Sequence, residues 1–196
     1  MSKLFFITLF FFSILSVIGQ TDQRLYEIIN DVSAERIEKD ITTLTNFGTR
    51  HTLSDTISDT RGIGAARRWV KSEFEKIGSD CNNCLNVFYQ KDLVKKGENN
   101  RIVKDVWVVN VVAIQKGTKY PNRYIIMSGD IDSRVSDPNN FTSDSPGAND
   151  NASGMAGTIE AARVLSKYSF ENSIILCWSF RRRTRAFWWQ RTCCPC

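Results

Sequence analysis

Two segments, Ser128-Gly-Asp-Ile-Asp-Ser-Arg134 and Ser145-Pro-Gly-Ala-Asn-Asp-Asn-Ala-Ser-Gly154, decide how the rest of the chain is read. The apolar run Tyr124-Ile-Ile-Met127 directly precedes the first and predicts a buried strand. Asp130 and Asp132 therefore fall at or just past a strand end. If the backbone stays extended, their period of two aims both carboxylates at one face. Asp150 arrives on a second loop, a Gly-Ala-Asn-Asp-Asn turn that leads into a helix. Three acids brought together shift one another's pKa values unless a cation compensates them. Zinc accepts such oxygen ligands, at about 2.0–2.2 Å. The same residues also suit a polar turn with Asx caps, and composition alone leaves the two readings level.

Taken together, the two segments resemble metallopeptidase family 28, the co-catalytic zinc aminopeptidases and their glutamate-carboxypeptidase relatives; the resemblance covers roughly residues 30 to 176. In that family a Gly-His-x-Asp-Ser strand end supplies a zinc-binding His and an Asp that orients it. The middle acid of a Gly-Ala-x-Asp-x-Ala-Ser-Gly loop bridges two zincs. The resemblance makes Asp132 the orienting acid of the catalytic site and Asp150 the bridging metal ligand. Asp130 stands where the His is expected and keeps a ligand type suited to a metal. The implied fold is α/β, a mixed β-sheet flanked by helices of the co-catalytic zinc exopeptidase type, incomplete in this chain. The site is expected at strand C-termini, where open α/β sheets place their ligands. The implied cofactor is a pair of zinc ions, and the implied partner is a peptide substrate.

Residues 1–19 read as a signal peptide. Lys3 gives a positive start, Leu4 to Ile18 is apolar, and small residues precede Gln20. The run is short for a membrane span, which needs about 20 apolar residues, and no stop-transfer cluster follows. An uncleaved anchor is the alternative. The expectation is an exported product with no membrane contact after cleavage.

Residues 20–176 read as the N-terminal part of the peptidase domain. Ile37, Ile41 and Leu44 make one helical stripe, which Gly48 closes. His51, the single histidine, is expected at the surface or in a cap rather than on a metal. A second helix is expected from Asp59 or Thr60. Its predicted buried face holds Trp69, Val70, Phe74 and Ile77, and its solvated face holds Arg67, Arg68, Lys71, Glu73 and Glu75. Cys81 and Cys84 form a Cys-x-x-Cys pair, which behind an export signal favours a local disulfide over a zinc ribbon. Strands are expected at 85–90, 106–115 and from Ser173 to Leu176. A helix is expected from Ala152 to Lys167, with Glu160 and Arg163 as an ordinary surface pair. The Asn140 and Asn151 glycosylation patterns read as coincidence, the second because it lies in the proposed metal loop.

Residues 177–196 differ in kind. They hold three of the five Trp, four of the six Cys, five Arg and no acid, so the formal charge of +5 belongs wholly to them. Synonymous codons exist for Trp178 to Cys196 that, read one base later, give Gly-Leu-Ser-Gly-Glu-Glu-Gln-Gly-Leu-Phe-Gly-Gly. That product resembles the family's next motif, in which the first Glu is the general base and the second a zinc ligand. The expectation is an aberrant Arg/Trp/Cys-rich tail produced by a frameshift. On this reading the chain is a truncated zinc aminopeptidase, inactive as written, with no nucleic-acid partner. The alternative is an exported, non-enzymatic binding protein whose basic tail contacts nucleic acid or an anionic surface.

Overall fold

A computed structural model of the chain describes residues 22–98 and 101–178. The proposed signal peptide lies outside the described residues, as does the tail beyond Trp178. The described residues up to Asp31 and those from Val32 onward fall in two compact units. In the first, helix α1 (Gln23–Asn30) starts at Asp22, whose carboxylate accepts the Arg24 N–H at 3.0 Å.

The second unit is α/β. Its elements are α2 (Ala34–Asn46), α3 (Gly62–Asp80), β1 (Leu85–Val94), β2 (Val106–Gln115), β3 (Tyr120–Gly129), α4 (Ser153–Leu165) and β4 (Asn172–Trp178). The strands form one sheet in the order β1-β2-β4-β3. β1 and β4 each pair antiparallel with β2, and β3 pairs parallel with β4. A parallel neighbour needs a crossover, which α4 supplies. The expected mixed sheet with helices is therefore present, and β3 and β4 end level, Gly129 opposite Trp178.

Alternation along β2 and β4 separates two apolar clusters. Val111, Ala113, Ile174 and Leu176 face the helices, where Leu44, Val70, Phe74, Met155 and Ile159 close the main core. Val112, Ile175 and Cys177 face the other way, with Phe88 and Ile126 beside them. β4 runs on through Cys177 and Trp178, the first two residues of the segment expected to be an aberrant tail.

Ser33 caps α2 by accepting the Arg36 N–H at 3.2 Å, and Gly48 takes φ +71° just beyond its end. α3 begins later than predicted. The Asp55 carboxylate accepts the Ile57 and Ser58 N–H groups, making residues 55–58 a turn. Gly62 then turns the chain at φ +85°, with no room for a Cβ beside the Asp55 carbonyl. The disulfide forms between Cys81 and Cys84, with Cα atoms 5.4 Å apart, in the turn between α3 and β1.

Two expectations about charge fail. Arg67 is buried rather than solvated, because the covered stripe of α3 spans every residue from Gly62 to Arg67. Glu160 and Arg163 are no surface pair. Glu160 is 2% exposed and accepts from Arg36 Nε at 3.0 Å and from the Ser33 N–H at 2.8 Å. Arg163 bonds Asp40 at 2.5 Å, Glu73 at 2.8 Å and Glu160 at 3.4 Å, tying α2, α3 and α4 together. Pairwise helical spacing shows the Glu160–Arg163 contact, but burial follows from α2 and α3 packing over it. Arg163→Met should lower unfolding free energy by about 3–5 kcal/mol, since it removes the Arg163 partner of the buried Asp40 carboxylate. Urea unfolding monitored by circular dichroism measures the loss.

Candidate functional site

β3 stops at Gly129 because its backbone runs directly against the start of α4. A Cβ on Gly129 would strike the backbone of Gly154 and Met155. The chain leaves the strand there, so Asp130 and Asp132 stand on the segment following β3 rather than within it. On the second loop Gly147 takes φ +50°, and a Cβ there would press on Ser133 and the Asp150 carbonyl. A tight turn over Ala148–Ala152 follows; Asp150 has extended angles (φ −120°, ψ 92°), and the Asp150–Asn151 peptide is cis.

Arg50 holds these two loops together. It is fully buried and donates from Nε to the Ile131 carbonyl at 2.7 Å. Nη1 donates to the Leu44 carbonyl at 2.8 Å and the Pro146 carbonyl at 2.6 Å, and Nη2 to the Gly147 carbonyl at 3.0 Å. The rigid guanidinium fork thus joins the end of α2 to both acid-bearing loops. Main-chain contacts reinforce it. The Arg50 N–H donates to Ser133 Oγ at 3.0 Å, and Ser133 Oγ donates to the Ser145 carbonyl at 2.5 Å. Burial lowers the Arg50 pKa to about 10, against the pull of Asp132, so it stays charged at neutral pH. Arg50 carried no prediction. Its only signal was a basic residue between Gly48 and His51 in an otherwise neutral segment.

The three predicted acids come within electrostatic reach of one another. Asp132 is pushed up to about 6, first by burial and then by the Asp130 charge, with Asp150 adding to the rise. Asp150 is exposed and Asp130 half-buried. Among the described residues no group of three or more His, Cys, Asp or Glu is close enough to hold a metal ion. Oxygen donors from two loops, at an edge where the Asp130 and Asp150 charges raise the Asp132 pKa, nonetheless suit a divalent cation. The Asn151 Oδ1, buried with no hydrogen-bond partner among the described residues, adds an unsatisfied acceptor beside Asp150.

His51 is buried, contrary to the expectation of a surface or capping residue. Its Nδ1 accepts the Leu53 N–H at 3.0 Å, which places the proton on Nε2, 3.1 Å from the Pro138 carbonyl. The neutral ring thus fastens residues 51–53 to the loop at Pro138.

Two tests follow from this geometry. Arg50→Lys should cost about 2–4 kcal/mol, since an ammonium cannot satisfy four spread carbonyls. Amide exchange should speed up at residues 131–133 and 147–150 before it does in β2. For His51, burial lowers the folded pKa below the unfolded value of about 6.5. Stability from the neutral ring is fully present above that value and falls as pH drops through the folded pKa. The stability difference between wild type and His51→Gln should therefore shrink between about pH 7 and pH 5. A difference independent of pH refutes this role.

A family model for peptidase family M28 matches residues 110–179, which run from within β2 to the end of β4 and include both acidic loops. A probable zinc metalloprotease of Pyrenophora teres f. teres is 46% identical over 155 residues, covering 79% of this chain and 32% of that protein. Another, from Leptosphaeria maculans, is 42% identical over 155 residues, covering 79% of this chain and 36% of that protein. The chain thus spans about a third of the length of the curated relatives it matches. Among solved structures, the aminopeptidase from Aneurinibacillus sp. strain AM-1 aligns with TM-score 0.54 at 15% identity, over 78% of this chain and 64% of that one. The glutaminyl cyclase of Tannerella forsythia aligns with TM-score 0.57 at 16% identity, over 78% of this chain and 53% of that one. Likeness at such low identity concerns the fold alone. With the acidic motifs inside the matched segment, the chain belongs to peptidase family M28, a family of zinc metallopeptidases.

Proposed function

We propose that, in the complete domain, Asp130 and Asp150 are metal ligands, Asp132 orients the site, and the reaction is removal of N-terminal residues from peptides. The observation that carries this is the meeting of the three acids at the C-terminal edge of the parallel pair β3 and β4, with Asp132 raised to about 6 by burial and its two acidic neighbours. Two zinc ions are the cofactor that fits; when bound, they supply Lewis acidity toward the scissile carbonyl and acidify water. The chain's own part is geometric. Arg50 fixes the spacing of the two loops, and the contact between Gly129 and Gly154 sets their depth against α4. The aminopeptidase assignment is supported by a structural neighbour of that name, while cyclases share the fold.

The 196-residue chain is proposed to be inactive. The general base belongs to the motif that appears when the codons for Trp178 onward are read one base later. Its loss alone costs about two to four decades in rate. Export and a frameshift at the start of the tail complete the proposal. Resequencing should show an open frame continuing beyond the present end; an unaltered frame and an active 196-residue product refute it.

In the frame-restored protein, Asp150→Ala should abolish zinc uptake and peptidase activity together, measured by metal analysis and aminoacyl-substrate turnover. Retention of two zincs with full activity sinks the assignment. Asp130→His in the same protein should bind zinc at least as tightly as Asp130, since imidazole suits zinc. A large loss of affinity shows that Asp130 is not standing in for a histidine.

A further inference from the structure

Beside the acidic loops lies a cavity of about 540 Å³ with the opposite charge. Thr52, Ser54 and Thr56 line it from the segment after Arg50, Arg67 lines it from α3, and Lys91 and Lys104 line it from β1 and the β1–β2 connection. Trp107, 55% exposed, and Val109 give it an apolar side. Asp105 also lines it, but its carboxylate already takes Lys95 Nζ and the Lys96 N–H, each at 2.9 Å. The cavity is therefore a cationic one with hydroxyl donors.

It also adjoins the acidic site. Arg50 pairs with Ser133 through its main chain, and the residues just after it, Thr52 and Ser54, form the cavity wall. The Asp132 charge is felt at Arg67. Burial lowers Arg67 to about 10, so the guanidinium remains charged at neutral pH.

We propose that this cavity is a specificity pocket for the carboxylate side chain of an acidic residue in a peptide substrate. The inference rests on the peptidase reading. A buried guanidinium presents a planar fork that matches a carboxylate in two hydrogen bonds, and the lysines add attraction at longer range. The Thr52 and Thr56 hydroxyls complete the donor set, since Ser54 Oγ already donates to the His51 carbonyl at 2.6 Å. Trp107 and Val109 cover the methylenes that carry an acidic group, as apolar walls do in pockets with a few convergent polar groups. Arg67 is thus a binding residue, placed one loop away from the reacting edge.

Calorimetric titration of the 196-residue chain tests it. N-acetyl-glutamate amide should bind, and N-acetyl-glutamine amide should bind at least about tenfold more weakly, the loss expected for a charge-assisted contact. N-acetyl-alanine, whose carboxylate is terminal, should be as weak as the glutamine probe. Lys91→Ala with Lys104→Ala removes two exposed charges without disturbing the core and should weaken binding roughly tenfold. Arg67→Lys should weaken it further, with the fold checked by circular dichroism. Asp150→Ala should leave probe binding within about twofold, since it removes none of the pocket's donors. Equal binding of the glutamate and glutamine probes, or of N-acetyl-alanine and the glutamate probe, overturns the proposal, as does unchanged affinity in both pocket variants. Failure of the peptidase reading shows elsewhere, in zinc content and turnover of the frame-restored protein.

Discussion

The Arg50 guanidinium is the constraint on which the acidic edge depends. Backbone carbonyls at Leu44, Ile131, Pro146 and Gly147 converge on it, from a helix end and two loops. Buried carbonyls need donors, and one planar fork supplies all four. The carboxylates of Asp130, Asp132 and Asp150 repel one another, so a buried cation beneath them also keeps the loops from separating. The spacing of the two loops therefore depends on this side chain, while burial and the Asp130 charge set the Asp132 pKa.

Charge is sorted over this molecule in three layers. Beneath the helices, Arg36 and Arg163 meet Glu160, Asp40 and Glu73, and the network fixes how α2, α3 and α4 lie on the sheet. At the strand ends three acids gather, a pattern that favours divalent cations. Across the Thr52–Ser54 segment three basic residues line the adjoining cavity. An edge that is negative beside a cavity that is positive presents opposite fields, and such fields orient a charged ligand before contact.

Much of the fold was legible from periodicity. The strands at 106–115 and 173–176 and the helix at 34–46 emerged within a few residues of their observed bounds, because each carries a continuous apolar stripe or run. The start of α3 was not legible: Asp55 and Gly62 redirect the chain through turn hydrogen bonds that hydrophobic spacing does not register. The close approach of Gly129 to Gly154 was not legible either, because it joins the end of β3 to the start of α4.

The sequence by itself marked three acids as candidates, set the strand and helix that flank them, and carried membership of the family through two short motifs. Tertiary structure alone decided the fates of Arg50, Arg67, His51 and Glu160. Each is a polar residue that local pattern assigns to solvent or leaves unread, and each is buried by elements distant in sequence. Glu160 meets Ser33 and Arg36 across 127 and 124 residues, and Arg50 meets Gly147 across 97. Burial of a charge is tolerated only where partners from elsewhere in the chain satisfy it. Those partners exist only once the sheet and helices have assembled.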